Sequence, residues 1–111
     1  MAGKFEVKKA SDGQFYFNLK ASNGRVILTS ERYTDKRSAQ KGIESVRKNA
    51  GNAARFERKQ RTGGQPYFIL KASNGETIGS SETYSGTTGV TRGIASVQKT
   101  APEAAVDDRT A

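Results

Sequence analysis

The stretch Leu19-Lys20-Ala21-Ser22-Asn23-Gly24 occurs twice, returning as Leu70-Lys71-Ala72-Ser73-Asn74-Gly75. Each copy carries Asn-Gly behind an alternating apolar segment, the strongest short-range hairpin signal. A type I′ turn needs positive φ at both central residues, which Asn and Gly tolerate. The correspondence extends outward without a gap. With Phe5 set on Phe56, 23 of the 46 aligned positions in 5–50 and 56–101 are identical. The chain is therefore a tandem duplication, and residues kept in both copies mark what the repeated unit needs.

Upstream of the first turn, Phe15, Phe17 and Leu19 alternate with Tyr16, Asn18 and Lys20, the period of a half-buried strand. Before it, Lys4–Lys9 reads as a strand with Phe5 and Val7 on one face, and Asp12-Gly13, or Gly63-Gly64 in the second copy, turns the chain. Downstream, third strands return over Arg25–Ser30 and Glu76–Ser81. Thr34 or Asp35, and Ser85 in the second copy, are the expected helix caps. Ala39, Ile43, Val46 and Ala50, like Val90, Ile94, Val97 and Ala101, then recur at helical spacing. Gly42 and Gly93 lie beside that stripe. A mid-helix glycine costs up to about 1 kcal/mol against alanine, so its presence in both copies predicts a helix packed too close to the sheet for a Cβ. Gly86 and Gly89 predict a weaker first turn in the second helix.

The unit is β-β-β-α, and alone it has too little core to be comfortable below about 60 residues. The expectation is an α+β fold with one mostly antiparallel sheet of about six strands and both helices on one face. A single domain over 1–101 is expected, with repeat one at 4–50 and repeat two at 55–101. Pro102 ends the helix, and the small and acidic residues of 102–111 predict a disordered tail.

Phe-Glu near the start of each copy, the Tyr16-Phe17 and Tyr67-Phe68 strands, the Lys-Ala-Ser-Asn-Gly turns, Ser-Glu-x-Tyr, and Gly-Ile-x-Ser-Val in both helices together resemble the YegP-like family of small bacterial and archaeal proteins of unknown function. The resemblance covers nearly the whole chain. It implies a duplicated three-strand-plus-helix unit in one sheet, with terminal strands exchanged between the units. It implies no activity and supplies no catalytic or binding residues.

Composition narrows the function. None of the 111 residues is cysteine or histidine, which removes thiolate chemistry, disulfides, and the commonest acid/base group and metal ligand near neutral pH. Neither a cofactor nor a metal is expected, and the G-x-G-x-x-G and P-loop patterns do not occur. No run approaches the roughly 20 apolar residues of a membrane helix, and Met1–Phe5 enters a strand pattern without an apolar signal core, so a cytoplasmic setting is expected. The net charge of +8 favours anionic partners such as nucleic acid. Residues 1–50 carry 11 basic and 5 acidic groups (+6) and residues 51–111 carry 8 and 6 (+2), so the excess sits in repeat one.

Three groups are candidate sites. Ser30-Glu31-x-Tyr33 and Ser81-Glu82-x-Tyr84 could pair glutamates for acid/base or cation chemistry, or could satisfy backbone at the strand-to-helix junction. The sheet face opposite the helices should carry Lys8, Tyr16, Asn18, Lys20, Lys59, Tyr67 and Lys71. Basic and aromatic groups interleaved on an open sheet suit single-stranded nucleic acid, although Glu6 and Glu57 on the same face weaken a phosphate track. Arg55, Arg58, Lys59 and Arg61, with Lys36, Arg37, Lys41, Arg47 and Lys48, form a basic run that is either an electrostatic footprint or ordinary solvated surface. The expectation is a non-catalytic structural or interaction module, monomeric with internal pseudo-twofold symmetry. The alternative is weak, sequence-tolerant binding of RNA or single strands through the open face.

Overall fold

The computed structural model describes residues 3–110. Repeat one supplies strands β1 (Lys4–Lys9), β2 (Phe15–Lys20) and β3 (Val26–Ser30) and helix α1 (Lys36–Asn49). Repeat two supplies β4 (Phe56–Gln60), β5 (Pro66–Lys71), β6 (Thr77–Ser80) and α2 (Thr87–Thr100). A seventh strand, β7 (Ala105–Asp108), follows. All seven form one sheet in the order β4-β5-β6-β3-β2-β1-β7. The first six are antiparallel; β7 runs parallel to β1, with Phe5 opposite Val106 and Glu6 opposite Asp107.

β7 corrects the expected disordered tail. Its backbone is tied down: Arg109 N–H donates to the Val7 carbonyl at 2.8 Å. Its two aspartates meet cations, Asp107 with Lys4 at 3.3 Å and Asp108 with Lys36 at 2.9 Å. The acidic composition that reads as solvated is what a basic edge captures. β7 also carries a terminal strand to the edge of repeat one, although β1 and β4 each pair with the second strand of their own repeat.

Two local expectations also change. Among non-glycine residues described here none has positive φ, so Asn23 and Asn74 do not enter a type I′ turn. In each Asn-Gly pair only the glycine is left-handed, Gly24 at φ +84° and Gly75 at +87°, behind turns closed by Gly24 N–H to Ala21 O and Gly75 N–H to Ala72 O. The five-residue loop lets a normal turn be followed by one left-handed glycine, which costs asparagine nothing. At the helix starts, Asp35 caps α1 by accepting from the Ser38 N–H at 2.7 Å. Ser85 does not cap α2; Gly86 holds that position and offers no side chain, yet α2 is as long as α1. Packing of its apolar stripe outweighs the missing cap.

Phe5, Val7, Phe17, Leu19, Leu28, Phe68 and Leu70 turn to the helix face and form one core with Ile43, Val46, Val90 and Val97. An aromatic relay repeats in both halves. Phe5 meets Phe17 edge-on at 5.8 Å and Phe17 stacks on Tyr33 at 6.4 Å; Phe56, Phe68 and Tyr84 repeat this at 5.7 and 6.4 Å. The tyrosines explain the helix glycines. A Cβ at Gly42 would lie 2.4 Å from the Tyr33 hydroxyl, and one at Gly93 would lie 2.4 Å from that of Tyr84. The tyrosine ring wedged between helix and strand is the nearest neighbour, and the sheet is close too: the same Cβ atoms would lie 3.0 Å from the Phe17 ring and 2.9 Å from the Phe68 ring.

The seam between the repeats is β3 against β6, with only Thr29 opposite Ser80 and Ser30 opposite Gly79. Leu28 and Gly79 are equivalent positions in the two repeats, and they meet here. A Cβ on Gly79 would lie 3.2 Å from Leu28 Cγ and 2.7 Å from the Thr29 carbonyl oxygen. Two equal side chains facing each other across a pseudo-twofold axis would collide. One leucine and one glycine fill the space once.

Candidate functional site: the open sheet face and two inter-repeat clefts

One row of residues crosses the open face of the sheet: Asp107, Glu6, Asn18, Thr29, Ser80, Ile69 and Glu57 stand opposite one another in register. The lysines flank this row, and Glu6 and Glu57, toward its two ends, gather them. Glu6, with a side chain only 5% exposed, lies 3.1 Å from Lys20, 3.3 Å from Lys4, 3.5 Å from Lys8 and 3.6 Å from Arg109. Burial pushes its carboxyl up, but the hydrogen-bonded ammonium groups of Lys20 and Lys4 and the charges around it outweigh burial and hold it below the ordinary value. On the other side Lys71 and Lys59 pair with Glu57, which stays 44% exposed and is held low mainly by Lys71.

The two tyrosines are covered as well. Arg32 lies over the Tyr16 ring at 5.0 Å and Arg61 over Tyr67 at 4.3 Å. Each of Lys8, Tyr16, Lys20, Lys59, Tyr67 and Lys71 thus has a partner inside the chain. Asn18 is buried and donates to the Thr29 hydroxyl at 3.0 Å. The face is a set of ion-paired clusters around Glu6 and Glu57 in which the cations outnumber the carboxylates. Part of the basic run is tied in: Lys36 pairs with Asp108, Arg47 with Glu44 and the Ala104 carbonyl, and Arg58 donates to the Thr91 hydroxyl at 2.9 Å, while Arg37, Lys41 and Lys48 form no salt bridge among the described residues.

In Ser-Glu-x-Tyr, the serines serve the backbone. Ser30 Oγ accepts from Phe17 N–H at 2.8 Å and donates to the Glu31 carbonyl; Ser81 repeats this with Phe68 and Glu82. The tyrosines pack in the relay described above. The glutamates are not brought together. Glu31 and Glu82 line separate clefts, and among the described residues neither forms a salt bridge.

These clefts are what sequence reading missed. The first, about 700 Å³, lies between α1 and the β5–β6 hairpin; the second, about 370 Å³, lies between α2 and the β2–β3 hairpin. Both sizes fall within the range of small-ligand sites. Their eleven lining residues correspond one to one. Glu31, Tyr33, Ser38, Lys41, Gly42, Ser45, Ala72, Asn74, Glu76, Thr77 and Ile78 match Glu82, Tyr84, Gly89, Arg92, Gly93, Ser96, Ala21, Asn23, Arg25, Val26 and Ile27. Each cleft borrows a wall from the other repeat, so no single segment of sequence displays it. The signal that could have found it is a residue kept in both copies with no structural duty: Glu31 and Glu82, with the basic pair Lys41 and Arg92. Burial first, then the neighbouring Glu31 or Glu82 carboxylate, pushes the Tyr33 and Tyr84 phenols up, against Arg25 in the case of Tyr84.

The family model described as "Domain of unknown function (DUF1508)" matches residues 10–57 and again 62–108. The chain belongs to the DUF1508 family. Counted by these two segments, each unit runs β-β-α-β, so that β4 closes the first unit while pairing with the second, and β7 closes the second while pairing with β1. In that sense β4 is exchanged into the second unit, whereas β7 pairs with β1, which precedes both matched segments. The UPF0339 protein YegP of Escherichia coli (strain K12) is 51% identical over 99% of this chain and 100% of its own length, and that of Yersinia pestis is 49% identical over 97% and 96%. The solution NMR structure of the E. coli protein, described as a protein of unknown function, superposes with a TM-score of 0.94, covering 99% of this chain and 95% of that one. A UPF0339 protein from Shewanella oneidensis, 45% identical, superposes at 0.92, covering 99% and 93%. No helix of the described residues is long and apolar enough to cross a membrane.

Proposed function

We propose that this DUF1508 protein is a non-catalytic binding module, monomeric and cytosolic, whose two matched clefts each take a ligand bearing both charges, such as a zwitterion or a mixed-charge peptide segment. The observation that carries this is that Glu31 and Lys41, and at the equivalent positions Glu82 and Arg92, line equivalent clefts. Most charges on the open face lie in ion pairs within the chain. These four keep their sign in both copies and form no salt bridge among the described residues, which leaves them free for an external partner. Several polar groups converging on a concave apolar floor of Tyr33 and Ile78, or Tyr84 and Ile27, suit ligand recognition.

The absence of catalysis in this reading is supported by chemistry. The chain has no histidine or cysteine, and the cleft phenols are shifted up, away from neutral pH, so they stay protonated. General acid/base work needs a group poised near the working pH.

The test is an amide NMR titration of the whole chain with free amino acids, with short peptides alternating lysine and glutamate, and with single-stranded RNA. Zwitterions or mixed peptides should move the amides of Gly42, Gly93, Asn23 and Asn74. Glu31→Gln with Glu82→Gln should abolish those shifts and leave the unfolding midpoint in place. No shift at these positions, or shifts indifferent to the glutamates, would refute the reading. RNA-dependent shifts confined to Tyr16, Tyr67 and the lysines around them would restore the open face as the site.

A further inference from the structure

Pseudo-twofold symmetry makes β1 and β4 equivalent, yet only β1 is covered. β7 lies along it, supplies Asp107 to Lys4, and buries Glu6. Glu57, the equivalent of Glu6, keeps 44% of its side chain exposed, because β4 is the last strand of the sheet and, among the described residues, has a neighbour only in β5. The open edge is strongly basic. Arg55 stands where Lys4 stands in repeat one, and Arg58 replaces the buried Val7. Arg55 Nε is buried without a hydrogen-bond partner among the described residues. A groove of about 440 Å³, lined by Arg58, Lys59, Gln60, Pro66, Thr87 and Val90, adjoins this strand.

We propose that the β4 edge docks an extended acidic segment of another protein, added as a parallel strand in the place that β7 takes on β1. An unpaired strand offers its backbone donors and acceptors to a new strand, and alternating side chains set the specificity. The chain's own β7 shows which segment suits such an edge: a small residue, an apolar one, then two aspartates. On β4 the apolar residue would face Phe56, the first aspartate would stand opposite Glu57 and reach Arg55, as Asp107 stands opposite Glu6 and reaches Lys4, and the second would oppose Arg58. This surface shares no residue with the clefts, so it stands or falls apart from them.

The probe is a synthetic peptide with the sequence of residues 103–110, titrated into the isotope-labelled full chain. Amides of Phe56 to Gln60 should shift and saturate, while those of β1 stay still. Changing both peptide aspartates to asparagine should weaken binding about tenfold, as should Arg55→Glu with Arg58→Glu. The peptide change tests the same pairs without touching the fold. No shift on β4 would overturn the proposal and make its arginines guards against edge-to-edge aggregation. Shifts on β1 and β7 alone would mean that the peptide displaces the native tail, which also overturns it. So would concentration-dependent β4 shifts without peptide that vanish on truncation after Ala104, since the occupant would then be a second copy.

Discussion

A glycine inside a helix is a cost that the fold must recover. At Gly42 and Gly93 it is recovered by a tyrosine ring, whose hydroxyl sits where a Cβ would project. Gly42→Ala should therefore destabilise by about 1–3 kcal/mol through overpacking, although alanine improves helix propensity by up to about 1 kcal/mol. Adding Tyr33→Phe removes the nearest clashing atom and should recover part of the loss, as read by chemical denaturation. If alanine stabilises, the ring is not wedged. The glycines were legible as close-approach positions because both copies keep them; the tyrosine was not, since nine residues and a strand-to-helix junction separate it from its glycine. Glu6 and Glu57 make a second comparison. Alternation places both on the open face, but nothing in that pattern says that Glu6 is buried. Glu6→Gln leaves several cations around a neutral amide and should cost about 1–3 kcal/mol, and Glu57→Gln should cost less. The folded carboxyl of Glu6 titrates below its ordinary 4.5. Its contribution is thus fully present above that value and disappears as pH falls through the lower, folded value. The stability difference between wild type and Glu6→Gln should accordingly narrow below about pH 4, and a constant difference would show that the charge is irrelevant.

At the scale of elements, the strands and helices that carry both period and repetition were legible, while β7 was hidden. Ala105-Val106-Asp107-Asp108 has low strand propensity, and its strand state comes from the edge that receives it. That edge is ionic, so pH should release it. Asp108 is lowered from 3.8 to about 2, first by the Thr110 hydroxyl and then by Lys36. Asp107 is also lowered, chiefly by Arg109. Both groups are depressed on folding, so their support for β7 is complete above the ordinary aspartate range and is lost as pH drops toward 2. Hydrogen exchange at Arg109, whose N–H bonds Val7, should accelerate on moving from pH 5 to pH 2.5 more than that of core amides such as Leu19, after correction for intrinsic rates. Uniform acceleration would mean that β7 and the core open together. The tight turns show the complementary limit: Asn-Gly marked both hairpins, but the turn type depended on loop length, which strand boundaries decide.

For the whole molecule, the duplication creates a problem at its own axis. β3 and β6 pair across the seam, and equivalent residues must meet there, as Leu28 and Gly79 do. Two obstacles would meet a side chain at Gly79, the Thr29 carbonyl oxygen at 2.7 Å and Leu28 Cγ at 3.2 Å, and only the second follows from the pseudo-twofold axis. In the repeat alignment this pair reads only as one of the non-identical positions; its meaning requires knowing which strands lie at the centre. Filling both positions should break the seam: Gly79→Leu brings a side chain within 3.2 Å of Leu28 Cγ and against the Thr29 carbonyl, and should cost at least about 3 kcal/mol. Leu28→Gly should also be costly, because it empties a buried leucine site, by about 3–5 kcal/mol. The double variant Leu28→Gly with Gly79→Leu places one leucine and one glycine at the axis again, with the roles of the repeats exchanged. If symmetry governs the packing, the double variant should be more stable than the sum of the single losses by at least about 1 kcal/mol, measured in a denaturation cycle. Additive losses would mean that the seam's asymmetry is built into the surrounding backbone and that leucine is tolerated from β3 alone.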